Sequence, residues 1–281
     1  TIHETFSLTS IVHSPFFNHS QYVSLKIKDA IVDRFNRKTK ERPNVDRENP
    51  DHKLVVRVTQ DNVSILWNTS GDPLFKRGYR TMTGLAPINE ILAAGILIFS
   101  GWNSEQPLVD PMCGSGTFLC EALMIAKNIP PGSFRKEFGF IKHKSYDHKL
   151  WLIVKEEASR ELKNTSPKLF GYDKMMDSIV NTKNNIKNID TDFECKIENI
   201  DFFETEKPSE KGMLIMNPPY NVRIQQDEIL EFYNAIGTRL KHHWSDFDAW
   251  VFSGDLQALK RIGLRPKRRI SLLNGSIESK L

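Results

Sequence analysis

Leu108-Val-Asp-Pro-Met-Cys-Gly-Ser-Gly-Thr-Phe-Leu-Cys-Glu-Ala-Leu-Met-Ile-Ala-Lys127 decides the fold of this 281-residue chain. An apolar run ends at Asp110, a turn carries Gly114 and Gly116, and Thr117 to Lys127 has the periodicity of an amphipathic helix. Strand, glycine turn and helix form the repeating unit of a parallel α/β sheet, whose ligands sit over the carboxyl ends of the strands. Glycines there let backbone amides come close to a ligand. The loop lacks both the lysine of G-x-x-x-x-G-K-[ST] and the third glycine of G-x-G-x-x-G, so it is not built for phosphate. A lone G-x-G after a strand is nearly as often a tight packing turn.

A second stretch, Met213-Leu-Ile-Met-Asn-Pro-Pro-Tyr220, changes that weighing. Its apolar run ends in two prolines, which fix the backbone and remove two N–H donors, so the chain leaves the sheet abruptly. An amide and an aromatic ring are left at the strand's end. The chain here resembles the class I S-adenosylmethionine-dependent methyltransferases that modify exocyclic amino groups of bases, which carry D-P-x-C-G-S-G-T followed by N-P-P-Y. The resemblance implies a doubly wound, Rossmann-like α/β sheet. It also implies S-adenosyl-L-methionine as cofactor, lined by Asp110, Met112, Cys113, Gly114, Gly116 and Thr117.

Composition agrees with a globular protein: 39% of residues are hydrophobic and 26% charged, with room for one large or two smaller domains. No apolar run approaches the roughly 18 residues of a membrane span, and no secretory leader is recognisable, so the chain reads as cytoplasmic. It opens on threonine inside what reads as a strand, as expected of a fragment of a longer protein. Cys113, Cys120 and Cys195 form no C-x-x-C pair and have no histidines at zinc spacing, so neither a disulfide framework nor a metal site is indicated. Cys113 is a nucleophile by position or, more simply, a small side chain lining a pocket. The formal charge is +4. Its local concentrations, Arg34 to Arg42 and Arg261 to Arg269, could neutralise phosphates, although each taken singly reads as a solvated surface.

Taken in order, Ser20 is placed to cap a helix with Val23, Ile27, Ala30, Ile31 and Phe35 on one face. Leu54 to Thr59 and Val63 to Trp67 flank Gln60-Asp-Asn62 as a hairpin. This order, with Ser20-Gln-Tyr22, Lys28-Asp-Ala-Ile-Val-Asp33 and Arg42-Pro-Asn-Val-Asp46, resembles the later part of a THUMP domain, an RNA-binding module, over residues 1–70. Residues 71–281 would then be the methyltransferase domain. Ser70 to Arg80 reads as the connection. Pro87 is expected to open a helix bearing Ile88, Ile91, Leu92, Gly95 and Phe99. Lys76-Arg-Gly-Tyr-Arg80 and Ala86-Pro-Ile-Asn-Glu90 are similar to phrases of THUMP-linked guanine-N2 methyltransferases, in which this segment closes over part of the cofactor.

Residues 128–165 read as an insertion with one helix around Leu150 to Leu162. Lys168 to Asp173 is the next strand. Asp173 could hydrogen-bond a ribose diol, as in the dinucleotide pattern, but it lies 63 residues past Asp110 where about 20 would be usual, the difference being the insertion. Phe193 to Glu198 is a third strand, followed by Asp201-Phe202. In the family resembled, an acid and an aromatic here receive the cofactor's adenine; a capping Asp and a core Phe explain the dipeptide equally well. Asp248 to Ser253 is a fifth strand, Leu256 to Ile262 a short helix, and Asn274-Gly275 a hairpin turn whose arms are expected to add an antiparallel strand to the sheet.

In the family, the side-chain oxygen matching Asn217 and the carbonyl matching Pro218 accept hydrogen bonds from the target amine, while the ring matching Tyr220 stacks on the base. N-P-P-Y does not separate guanine N2 from adenine N6. The THUMP segment and the tail, Asp248-Ala-Trp-Val-Phe-Ser-Gly-Asp, Ile262-Gly-Leu-Arg-Pro and Leu273-Asn-Gly-Ser-Ile-Glu-Ser, are similar to the bacterial enzymes that methylate guanine N2 in 23S ribosomal RNA. Val222 departs from them, standing where an acid usually precedes the arginine. The alternatives are a transfer-RNA guanine-N2 enzyme, an adenine-N6 enzyme, or an inactive RNA-binding protein.

Overall fold

The structure is a computed structural model that describes residues 3–80, 88–220 and 226–281. Pro87 and Val222 lie outside the described residues. The chain divides into two compact units, residues 1–74 with 135–153, and residues 75–134 with 154–281.

In the first unit β1 (Phe6–His13) pairs in parallel with β2 (His52–Thr59) across α1 (Ser20–Thr39), and β2 pairs antiparallel with β3 (Asn62–Trp67). Val23 of α1 packs on Val56 and Val58 of β2, the small core of this sheet. The helix is capped one residue earlier than expected. Ser20 is already helical, and the ring Nδ1 of His19 accepts from the Tyr22 N–H. Thr59 pairs with Asn62, so the hairpin turn is Gln60-Asp61, with Gln60 in the left-handed region at φ 57°.

The second unit begins with α2 (Glu90–Ser100), capped by Asn89, whose side chain accepts from Ile91 and Leu92 N–H. Then come β4 (Leu108–Asp110), α3 (Thr117–Ala126) and, inside the insertion, α4 (His148–Arg160), whose residues 148–153 belong to the first unit and 154–160 to the second. They are followed by β5 (Leu169–Tyr172), α5 (Met176–Ile189), β6 (Lys196–Glu198), β7 (Gly212–Met216), α6 (Gln226–His243), β8 (Phe247–Val251), α7 (Leu256–Arg261), β9 (Ser271–Asn274) and β10 (Ile277–Lys280). Five strands form one parallel sheet in the order β6-β5-β4-β7-β8. β4 is central and buried throughout, because parallel strands covered on both faces need apolar residues on both sides. Phe118, Leu119 and Leu123 of α3 pack with Leu108 on one face, while Ile236, Leu240 and Trp244 pack with Val109 and Leu214 on the other. The chain works outward from β4 to β6, then returns to β7 on β4's other side. That reversal leaves a crevice outside the carboxyl ends of β4 and β7, where sheets of this kind bind ligands.

Two expectations need correcting at the carboxyl terminus. The hairpin does not extend the main sheet; β9 and β10 form a sheet of their own, joined to the end of β8 by a single antiparallel bridge between Ser253 and Lys280. Asn274 pairs with Ile277, so the turn residues are Gly275-Ser276, with Gly275 at φ 62°, not Asn274-Gly275. The insertion also has a definite place. The Arg135 guanidinium donates to the carbonyls of Ser70, Asp72 and Pro73 at 2.8–3.0 Å. The His143 ring lies on Trp67 at 4.1 Å, and the Phe140 N–H bonds to Thr69. Residues 135–153 are therefore structural members of the unit formed by residues 1–74. Among the described residues no helix is long and apolar enough to cross a membrane.

Candidate active site

The loop after β4 is held by its neighbours at almost every residue. Asp110 is buried, and its Oδ1 accepts from the Met112 N–H at 3.3 Å. Burial pushes its carboxyl well above the usual carboxylate range, and the nearby charge of Asp173 pushes the same way. Cys113 N–H bonds to the Tyr172 carbonyl, and Gly114 N–H donates to Oδ2 of Asp173 at 2.9 Å. Oδ1 of Asp173 accepts from Met175 N–H, and its main-chain carbonyl accepts from the Asn199 amide. Asp173 thus ties the ends of β5 and β6 to the glycine loop.

Helix α5 fixes the rest of the loop. Thr182 donates to the Gly114 carbonyl and Asn185 to the Ser115 carbonyl, both at 2.9 Å. Gly116 has φ 75°, and a Cβ there would stand 2.6 Å from Cγ2 of Thr182, so both backbone conformation and space require glycine. Thr117 accepts from the Arg80 guanidinium at 2.8 Å, and Arg80 also pairs with Glu90 at 3.1 Å. Burial pushes the Cys113 thiol well up, so Cys113 is no thiolate nucleophile; it faces the Thr182 hydroxyl at 3.7 Å. Thr182 and Asn185 escape a reading by motif. Their one local signal is polarity on a helix face that also carries Ile179 and Ile186.

At the end of β6 the pair Asp201-Phe202 divides its roles. Asp201 Oδ1 accepts from Phe203 N–H at 3.0 Å. The Phe202 ring is 2% exposed and lies nearly parallel to Trp244, centroids 6.5 Å apart, in the core beneath α6.

At the end of β7 the arrangement is different. Parallel pairing of Val109 with Leu214 brings Asn217 to the same end of the sheet as the glycine loop, one strand away. Pro218 is buried, Asn217 and Tyr220 are half-buried, and Tyr220's hydroxyl accepts from the Asn274 amide at 2.8 Å. Oδ1 of Asn217 is buried and has no hydrogen-bond partner among the described residues. A buried acceptor left without a donor is costly, and native structures leave few of them without a reason. Asp110, Met112, Cys113, Gly114, Gly116, Thr117 and Asp173 therefore lie at the carboxyl ends of β4 and β5, and Asn217, Pro218 and Tyr220 at the same end of the neighbouring β7.

A family model described as the RMKL-like methyltransferase domain matches residues 77–281, and the THUMP domain model matches residues 4–67. The chain belongs to the RMKL-like methyltransferase family. It is 36% identical over 276 residues to a putative RNA methyltransferase of Synechocystis, covering 98% of this chain and 72% of that relative. It is 37% identical to the ribosomal RNA large subunit methyltransferase K/L of Psychromonas ingrahamii over 99% of this chain, and spans only 38% of that enzyme's length. Among solved structures, the putative methyltransferase SMU.472 complexed with SAH superposes with a TM-score of 0.84 at 26% identity, covering 99% of this chain and 74% of that one. A possible methylase from Clostridium difficile 630 gives 0.85 at 29% identity, covering 99% and 73%.

Within this RMKL-like methyltransferase some members of the basic clusters have structural roles. Lys267 faces Asp248 near the start of β8, the end of the sheet opposite Asn217, and Arg268 donates to the Phe99 carbonyl. Arg37 and Lys38 lie in the last turn of α1, where cations favour the helix dipole.

Proposed function

We propose that this methyltransferase uses S-adenosyl-L-methionine to methylate the exocyclic N2 of a guanine in 23S ribosomal RNA, with the THUMP unit, residues 1–70, contributing RNA binding. The observation that carries the reading is the buried Oδ1 of Asn217, which has no hydrogen-bond partner among the described residues, at the strand end next to the glycine loop. An amine N–H is the donor that such an acceptor lacks. Bound SAH in the SMU.472 structure and the RNA named for the Synechocystis and K/L relatives support the cofactor and the substrate class.

Asp110, Asp173 and Asp201, with the main chain of Met112 to Gly116 and of Phe202, would hold the cofactor; their carboxylates suit an ammonium, a ribose diol and an adenine amine. When bound, S-adenosylmethionine supplies an electrophilic methyl group on sulfur. The protein's own task is alignment, because in-line displacement by an amine depends on geometry more than on a strong base. The Asn217 oxygen and the Pro218 carbonyl accept from the two amine N–H groups. They thereby favour the positive charge that develops on nitrogen as it loses conjugation with the ring. Tyr220 stacks on the base, which must first be unstacked from its helix. No ionisable side chain is required as nucleophile.

The test is incubation with labelled S-adenosylmethionine and an unmodified 23S transcript, then digestion to nucleosides. Label in N2-methylguanosine is the expected result. Label in N6-methyladenosine would overturn the base assignment, and transfer to transfer RNA alone would overturn the substrate. A protein that gives no transfer, and whose melting temperature S-adenosylmethionine does not raise, would be a binding module.

A further inference from the structure

Tyr220 leaves β7 through two prolines, and its ring is then fixed from two directions. Its hydroxyl accepts from Nδ2 of Asn274 at 2.8 Å. Its ring lies against Gly254, where an added Cβ would stand 2.8 Å from Cε2 and 3.2 Å from Cδ2 of Tyr220, and 2.8 Å from Cγ2 of Ile277. Gly254 is not left-handed, so glycine is needed there for room and not for conformation.

Asn274 and Ile277 are the last cross-strand pair before the hairpin turn: Asn274 bonds the hydroxyl, and Ile277 lies beside Gly254, the glycine under the ring. The turn itself does not need an asparagine at 274. Gly275 takes the left-handed backbone, and Asn274 does not. The base of the hairpin is bridged to Ser253, the residue before Gly254. Ring floor and hydroxyl tether are therefore parts of one construction.

We infer that Asn274 is a positioning residue: the tip of the β9–β10 hairpin holds the Tyr220 ring in the plane on which the target base stacks beside Asn217. The inference rests on the stacking role proposed above for Tyr220. Stacking of a flat base on a ring depends on the ring's orientation. A tyrosine free to turn about its side-chain bonds presents that plane only part of the time, which lowers turnover without touching the cofactor side.

The test compares Asn274→Ala, Tyr220→Phe, their double variant and Asn274→Asp in methyl transfer to the 23S transcript. Loss of one neutral hydrogen bond predicts kcat lower by about five- to tenfold in each of the first two variants. The KM for S-adenosylmethionine and the melting temperature stay at wild-type values. The double variant falls no further than either single one, because both remove the same bond. Asn274→Asp returns kcat to within about twofold of wild type, since a carboxylate accepts from the hydroxyl and restores the tether. Full kcat in Asn274→Ala, or losses that multiply in the double variant, would overturn the inference while leaving the proposed function intact. A wild-type protein that transfers no methyl group to RNA would remove both.

Discussion

The two sides of the crevice are built on opposite principles. On the β4 side, Thr182, Asn185, Asp173 and Arg80 hold the loop through its carbonyls, amide and hydroxyl, and one added methyl group at Gly116 meets a side chain. On the β7 side, Asn217 keeps a buried oxygen with no donor among the described residues. Under the proposed function, the half that would take a small, constant ligand is finished in advance, and the half that would take a base withdrawn from a helix keeps an acceptor whose partner would arrive with the substrate, where its strength counts toward turnover.

Breaking the β7 side should have the largest effect. Asn217→Ala is expected to lower kcat by about a hundredfold or more while leaving affinity for S-adenosylmethionine within about twofold, as for loss of one preorganised polar group in a dry site. Isothermal titration and methyl transfer, measured on the same preparation, check this; equal losses in both would show that the two sides are not separable. Next comes Gly116→Ala on the β4 side. It combines a left-handed backbone with a 2.6 Å contact to Thr182, and should cost about 2–4 kcal/mol of stability together with most cofactor binding. Calorimetry reads both, and Thr182→Ser in the same chain should recover part of the stability by removing the methyl that is struck.

Asp110→Asn sharpens the comparison through pH. The carboxyl's folded pKa is raised, so ionisation opposes folding; the penalty begins above the unfolded pKa near 3.9 and grows until the folded value is passed. The asparagine variant should accordingly melt a few degrees higher than wild type at pH 7, match it near pH 3, and bind S-adenosylmethionine more weakly. A variant that melts lower at pH 7 would mean that the charge is compensated in the folded protein. The smallest effect is expected from Thr182→Val, which deletes one bond to the Gly114 carbonyl. It should raise the KM for the cofactor about three- to tenfold with kcat nearly unchanged.

Much of this was legible because glycine and proline punctuate the chain. The run ending at Asp110, the pair Gly114 and Gly116, and Pro218-Pro219 mark strand ends that sequence alone can place, and the alternation of strands with helices gives the parallel sheet. Side chains whose partners are remote in sequence were hidden. Asn274-Gly275 has the local chemistry of a turn, yet a register shift of one residue puts Asn274 in the strand and frees its amide for Tyr220. Thr182 and Asn185 break an apolar helix face, a break that local pattern does not distinguish from an irregular stripe. Phe202 follows an acid at a strand end, as a ring meant for adenine would, and only the packing of Trp244 shows the ring turned inward. The 128–165 insertion has no motif at all, because its purpose lies in the carbonyls that Arg135 meets more than sixty residues earlier.

That insertion has a consequence for dissecting the molecule. The polypeptide passes from the first compact unit to the second, back to the first at 135–153, and out again. A scissor cut near residue 74 would strand Arg135, Phe138 and Trp151 with the wrong half and deprive the other of its clasp. The amino-terminal fragment would lack part of its own unit, so recombination has to move this pair as one cassette.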